Sequence, residues 1–337
     1  MMLKIGWNES FTKTFFSPPS IVPLWTSRMK GFREAIEGKF ELIETNLVPL
    51  SEFERVHCKE LVERVRKLNE VGGLLDYGDT YVYKGSAEVL EAVLGALYEG
   101  YEGLGKDMAF YSPYGGLHHA SRCEAGGFCP LNDVAVVIQR ATEDGKRVAY
   151  LDFDAHHGNG TQDIFYERDD VLTVSLHAYF SGFYPGTGHY SELGRGKGYG
   201  YSINVPLPPE TGDEAYSKAL ELIVRRAVES FKPDLIVAQM GVDGHKDDPL
   251  GGVLNLTTNT YKRIGELLAG FGVPVIGVGG GGYGEGAVKA MMAELIGLSG
   301  REELWDLVKE EPTASPEESF ERIIAVKRFL EDQVSWF

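Results

Sequence analysis

Short apolar runs alternate with longer stretches of helical periodicity along most of the chain. Runs of strand length stand at MLKIGW (2–7), DMAFYS (107–112), RVAYLDFD (147–154), VLTVSLH (171–177), YGYSINV (199–205), DLIVAQMG (234–241) and VPVIGVG (273–279). Apolar residues spaced three and four apart predict helices near 26–37, 51–69, 86–103, 131–143, 213–231, 257–271, 285–298 and 316–332. The last opens with Ser315, Pro316 and Glu318, which read as a cap, a first-turn proline and a capping-box glutamate. Strands that alternate with helices imply a mainly parallel central sheet flanked by helices on both faces, an α/β fold. No repeat or low-complexity linker divides the pattern, and the acidic KEEPTASPEE at 309–318 reads as a surface connection, so one domain over 1–337 is expected.

In open sheets of this kind ligands bind beyond the carboxyl ends of the strands. Four polar clusters fall there: GGLHHA (115–120), LDFDAHHGNG (151–160), GVDGHKDDPLGG (241–252) and GGGGYGEG (279–286). Asp152, Asp154 and His156 share the two-residue spacing of one strand face. Carboxylates crowded at a buried strand end must pair, protonate or bind a cation. An ordinary buried hydrogen-bond network is the plainer alternative, and the imidazole beside the acids favours a metal. Asp154 and His156 are candidate ligands, with Asp243 as a third. Three oxygen and nitrogen ligands leave a fourth position for water or substrate, the arrangement of a catalytic zinc site. Iron(II) fits the same residue types.

His118 and His119 are candidates for general base and acid, because imidazole titrates near neutrality. As a bare pair they would more often cap or pack; their place near the inferred metal changes the reading. Tyr283 follows four glycines. Such a loop can be a simple tight turn, or it can bring the backbone close and present a phenol to a reacting carbonyl.

The composition narrows the partners. There are 337 residues, 43% of them hydrophobic, enough for a large core, and the formal net charge is −17. That balance argues against binding a nucleic-acid backbone and mildly favours cationic substrates. The three cysteines, Cys58, Cys123 and Cys129, are odd in number and form no Cys-x-x-Cys pair. Reduced thiols and a cytoplasmic location are therefore expected. The N-terminal stretch lacks a signal-peptide apolar core, and no apolar run approaches membrane-spanning length, so no membrane partner is expected.

At this point the motifs resemble a known family. GGLHHASRCEAGGFCPLND, YLDFDAHHGNGTQDIFY, TVSLHAYFSGFYPGTG, GRGKGYGYSINVPLP, QMGVDGHKDDPLG and GVGGGGYGEG match, in order and spacing, the histone deacetylase family, which includes acetylpolyamine amidohydrolases and acetoin-utilization proteins. The match runs from about 110 to 290, with weaker similarity at VHCKELVERV and DTYVYKGS. The resemblance implies the arginase–deacetylase fold and hydrolysis of an acetyl-amide to acetate and an amine that is cationic once freed. It implies Asp154, His156 and Asp243 as zinc ligands, His118 and His119 beside the attacking water, and Tyr283 as the transition-state tyrosine. Asp152 would orient His118, and Asn159 would face His119. A structural potassium site would involve Asp152, Asp154, His156, Ser175 and Leu176. Gly127, Phe128, Tyr184 and Leu250 would line the substrate tunnel, and Arg28 would match an arginine of an internal acetate channel. Family members range from monomers to tetramers, so an oligomer is compatible with the match.

Three departures stand out. Asn159 replaces an aspartate found in many relatives, although others carry HHGNG. Tyr184 replaces a common tunnel phenylalanine and adds a hydroxyl. The usual opening loop is replaced by FFSPPSIVPLWTSRMKG within a divergent stretch at 11–30, and the aromatic and proline content of 15–25 reads as a rim, a lid, a subunit contact or, equally, a plain packed loop. Two rivals keep the fold. A binuclear manganese ureohydrolase needs a second aspartate where Gly158 stands and an Asp-x-Asp where His245 follows Asp243. A non-catalytic protein that binds acetylated ligands would have no need of Tyr283.

Overall fold

In this computed structural model, which describes residues 1–105 and 108–337, the expected parallel sheet is present and has eight strands. Strands β1 (Met2–Trp7) and β2 (Glu41–Glu44) are joined through helix α1 (Val22–Ile36). Helix α2 (Lys59–Val71) leads to a small antiparallel hairpin, β3 (Gly73–Leu74) and β4 (Tyr81–Val82). Helix α3 (Ala87–Gly103) and strand β5 (Met108–Ser112) follow; Asp107, the first residue of the predicted strand, lies outside the described residues. Then come α4 (Asp133–Glu143), β6 (Val148–Asp152), α5 (Asn159–Phe165), β7 (Val171–Ala178) and β8 (Ser202–Leu207). The chain closes with α6 (Asp213–Ala219), α7 (Arg226–Phe231), β9 (Leu235–Gln239), α8 (Thr258–Gly270), β10 (Val275–Val278), α9 (Gly284–Ser299) and α10 (Glu317–Gln333).

The strand order is β2-β1-β5-β10-β9-β6-β7-β8, and every described pairing in this sheet is parallel. Strands β6, β7, β8, β9 and β10 are buried at every position. Helices on both faces explain why these strands read as continuous apolar runs. One register row crosses the sheet: Ser112 faces Val278, Val278 faces Gln239, Gln239 faces Asp152 and Asp152 faces Ser175. The loops after β5, β10, β9 and β6 therefore leave the sheet at one level, side by side.

Several local expectations need correction. The helix expected at 51–69 is a 3₁₀ turn over Leu50–Arg55 followed by α2. The helix expected at 213–231 contains a π-helical stretch, Leu220–Arg225, between α6 and α7. Strand β2, the hairpin and α5 were not foreseen; the first two are too short to show a period. Ser315 does not cap α10, which begins without a side-chain cap. Its hydroxyl instead accepts the backbone N–H groups of Gly212 and Ala215 at the start of α6, 3.0 and 3.1 Å away. The expectation of unpaired thiols is also overturned. Cys58 and Cys123 form a disulfide with Cα atoms 5.3 Å apart, and Cys129 is free and buried. The argument for a reducing compartment from thiol usage falls with it. Among the described residues no helix is long and apolar enough to cross a membrane.

Candidate active site

Strand β6 ends at Asp152, so Asp152, Asp154 and His156 do not share a strand face as the spacing suggested. Asp152 stays in the sheet and turns toward His118, whose Nδ1–H donates to its Oδ2 at 2.8 Å. The Tyr150 hydroxyl donates to the same oxygen at 2.7 Å. Asp154 and His156 lie on the loop beyond, where they meet Asp243 from the loop after β9. His156 Nδ1 is 2.7 Å from Asp243 Oδ2 and 3.4 Å from Asp154 Oδ1. The Asp243 carboxylate also accepts the Ala155 N–H at 2.7 Å.

These three residues offer ligand atoms that all lie within 4.8 Å of one another. Their charges are poorly resolved without a cation. Burial depresses the His156 imidazole, but Asp243 and Asp154 override it and push it up to about 10. Burial, then repulsion from Asp154, pushes Asp243 up to about 7. Burial raises Asp154 too, yet His118 and His156 hold it well below the usual carboxylate range. Two buried carboxylates that compete for the protons of their imidazole neighbours form a donor set that a divalent ion would satisfy. The loop after β10 leaves room for one. A Cβ on Gly281 would stand 2.8 Å from Asp243 Oδ2 and 2.9 Å from Asp154 Oδ2, while the Gly281 N–H donates to Asp154 Oδ2 at 2.8 Å.

His118 and His119 come from the loop after β5. Their Nε2 atoms are 3.1 Å apart, and their Nδ1 atoms are anchored separately. His119 Nδ1–H donates to Asn159 Oδ1 at 2.7 Å. Burial depresses His118, but Asp152 and then Asp154 outweigh it, and its imidazole is raised. Burial and the neighbouring His118 and His156 hold His119 well below its ordinary value. Tyr283 begins α9 as its N-cap residue; it is buried, and its backbone N–H donates to Asp248 Oδ2 at 2.6 Å.

A cavity of about 220 Å³ joins these groups. His118, His119, Asp154, His156, Asp243, Tyr283, Gly127, Phe128, Tyr184 and Leu250 all line it. Gly127 has φ +56°, and a Cβ there would lie 2.5 Å from the His119 ring, so the wall requires glycine. Arg28 lies behind the cavity. Its guanidinium donates to the carbonyls of Gly279, Gly280, Gly282 and Pro113, at 2.8–3.3 Å, and so holds the glycine loop before Tyr283. Ser175 pairs with Asp152 across β6 and β7, but its hydroxyl is 2.8 Å from His177 Nδ1. Its neighbour Leu176 is buried in β7.

The sequence reading did not single out Phe15, Ile21, Asp79 or Cys129, which also line the cavity. Phe15 and Ile21 come from the divergent stretch 11–30, so part of that stretch is cavity wall. Asp79 sits in the DTYVYKGS segment, whose weak similarity was the one available signal. His245, which disfavours a second metal in the ureohydrolase pattern, is turned away to Glu310, 2.9 Å from its Nε2. With Asp247 these two form a second metal-capable group, but Lys246 already pairs with both carboxylates.

Comparison with known proteins identifies the family and the fold. The histone deacetylase domain matches residues 23–298. A probable deacetylase of Archaeoglobus fulgidus is 37% identical over 277 residues, which are 78% of this chain and 75% of that protein. Histone deacetylase 19 of Arabidopsis thaliana is 42% identical over 169 residues, half of this chain but only 33% of that protein. The crystal structure of the HDA15 HD domain superposes with a TM-score of 0.83 at 26% identity, covering 99% of this chain and 96% of that one.

Proposed function

This chain belongs to the histone deacetylase family, and on that footing we propose that it is a metal-dependent amidohydrolase that removes an acetyl group from an amine. One observation carries the reading: a single cavity gathers the metal-capable triad Asp154, His156 and Asp243, the paired imidazoles of His118 and His119, and the Tyr283 phenol. Zinc suits the triad, and iron(II) fits the same donors. A bound ion would polarise the acyl oxygen and acidify water beside it.

The chain's own residues supply the proton transfers and orientation. With Nδ1 of each histidine anchored, both Nε2 atoms are left to exchange protons at the cavity. The electrostatics favour a division of labour. His119, held below its ordinary value beside the neutral Asn159, would take the proton of the attacking water; His118, raised by the Asp152 carboxylate, would give one to the departing amine. Tyr283 donates its hydroxyl to the oxygen that becomes negative as the carbonyl is attacked. Arg28 fixes the loop that carries Tyr283 and the Gly281 N–H. Phe128 and Tyr184 flank the amine chain as it leads out past Leu250. The amine product is cationic, which suits both the net charge of −17 and Asp79 on the cavity wall. A potassium ion near Asp152, Ser175 and the backbone of Asp154, His156 and Leu176 would add charge balance behind the triad.

The test is acetate release from an acetyl-lysine peptide, an acetylpolyamine and a small acetamide by zinc- or iron(II)-loaded protein. Turnover of at least one class is expected. Metal binding without turnover of any would overturn the reading in favour of a ligand-binding protein.

A further inference from the structure

The cavity has an open end and a closed end. Tyr184 and Leu250 are 44% and 42% exposed, whereas Phe15, Tyr283 and Leu117 are 5%, 4% and 3% exposed. The reacting carbon of a bound amide has to reach Asp154, Asp243 and Tyr283, all at the closed end. Its amine arm then leads outward past Tyr184, and its acyl arm points at the deep wall. Much of the lining there is backbone, from Gly115, Gly116, Gly280 and Gly281; Leu117 and Phe15 are its buried apolar side chains, and the Phe15 ring lies 6.2 Å from that of Tyr283.

Phe15 is held rigidly. Its ring stacks on Trp25 with centroids 4.0 Å apart and planes at 6°, and it meets Phe128 edge-on at 5.7 Å. Its centroid is 6.2 Å from that of Tyr283. Trp25 cannot retreat, because it is buried against Tyr114 at 4.6 Å and carries the Arg28 guanidinium 4.5 Å from its ring centre. Arg28 is itself held by backbone carbonyls. Phe15 is thus backed by Trp25, which is packed in turn against Tyr114 and Arg28.

We propose that Phe15, braced by Trp25, limits the acyl group of the substrate to acetyl and excludes longer straight-chain acyl groups. The proposal rests on the deacetylase reading above. In a fixed apolar wall a methylene too many changes discrimination by about 10–200-fold.

The experiment compares wild type, Phe15→Ala and Phe15→Leu on one amine carrying acetyl, propionyl or butyryl, reading the ratio of kcat/KM values. Titration calorimetry with acetate and butyrate reads the same wall without turnover. Wild type is expected to prefer acetyl over butyryl by about 100-fold or more. Phe15→Ala should reduce that preference at least about tenfold and gain butyrate affinity, with Phe15→Leu in between. An unchanged ratio and unchanged carboxylate selectivity in a variant with native near-ultraviolet circular dichroism overturn the proposal. Should Phe15→Ala fail to fold, Phe15→Leu decides on the same criteria. A wild-type protein that hydrolyses none of the three amides refutes the deacetylase reading, and the calorimetric comparison then still decides whether Phe15 closes the cavity.

Discussion

His119 donates its Nδ1–H to the amide oxygen of Asn159 across 2.7 Å, so its partner is neutral. Within the same site His118 has the Asp152 carboxylate instead. This asymmetry is the source of the proton division proposed above, and it can be altered by one atom type. Asn159→Asp would place a carboxylate against His119 and raise its imidazole. Protonated His119 cannot act as a base, so the acid limb of the kcat/KM profile should move to higher pH. A profile that stays in place refutes the assignment of His119 as the base.

Tyr283→Phe removes the hydroxyl while keeping the ring that Phe15 packs near. Loss of one preorganised donor lowers kcat by about 10²–10³ with little change in KM. Steady-state kinetics on the best substrate of the screen measures it. A KM effect alone would assign Tyr283 to ground-state binding.

Asp243→Ala removes one of three metal-capable groups and leaves His156 and Asp154 facing each other. Metal content after dialysis should fall from about one ion per chain to near zero, as expected when a catalytic site loses one of three protein ligands. Retention of a full equivalent of metal, or of turnover, would remove the triad from the mechanism.

The Cys58–Cys123 disulfide closes a 65-residue loop. Chain-entropy reasoning assigns such a link about 4 kcal/mol. Cys58→Ser should lose stability of that order in urea unfolding under non-reducing conditions, and it should be indifferent to a dithiol reductant that weakens wild type. Equal stability of the two proteins would show that the link contributes nothing.

His57 supports the same loop from the other side. The Asn132 N–H donates to its Nε2 at 2.8 Å, and its Nδ1–H donates to the Ser121 carbonyl at 2.8 Å. Burial pushes its imidazole down from 6.5 to about 4. The unfolded chain therefore binds a proton that the folded chain refuses between those two values. Stability is full above pH 6.5 and falls as the pH drops toward 4, by roughly 3 kcal/mol at 1.36 kcal/mol per unit. Urea unfolding at pH 7 and pH 5 measures the fall. His57→Gln should flatten it by about one proton, and an unchanged slope would exclude His57 as the source.

The apolar runs that became β6, β7, β9 and β10 were readable because burial on both faces leaves a local signature: continuous apolar residues closed by polar loops. Aspartates and histidines clustered at those closures marked the site for the same reason, since every parallel strand delivers its loop to one edge. This is why Asp154, His156, Asp243, His118, His119 and Tyr283 could be named before any fold was known, and why they line one cavity.

What each of those residues touches was decided by packing. Asp152 and Asp154 are two positions apart, yet the chain leaves the sheet between them, so one faces His118 and the other faces the Gly281 N–H. Ser315 caps a helix that begins about a hundred residues earlier, and Cys58 finds Cys123 across 65. Phe15, in a segment without period or motif, joins the cavity wall with Trp25 stacked behind it and Arg28 over Trp25. Local sequence sets backbone preference and burial over a few residues. Pairings between distant segments arise only when the whole sheet and its helices close around a common core, and no single stretch of the chain contains that information.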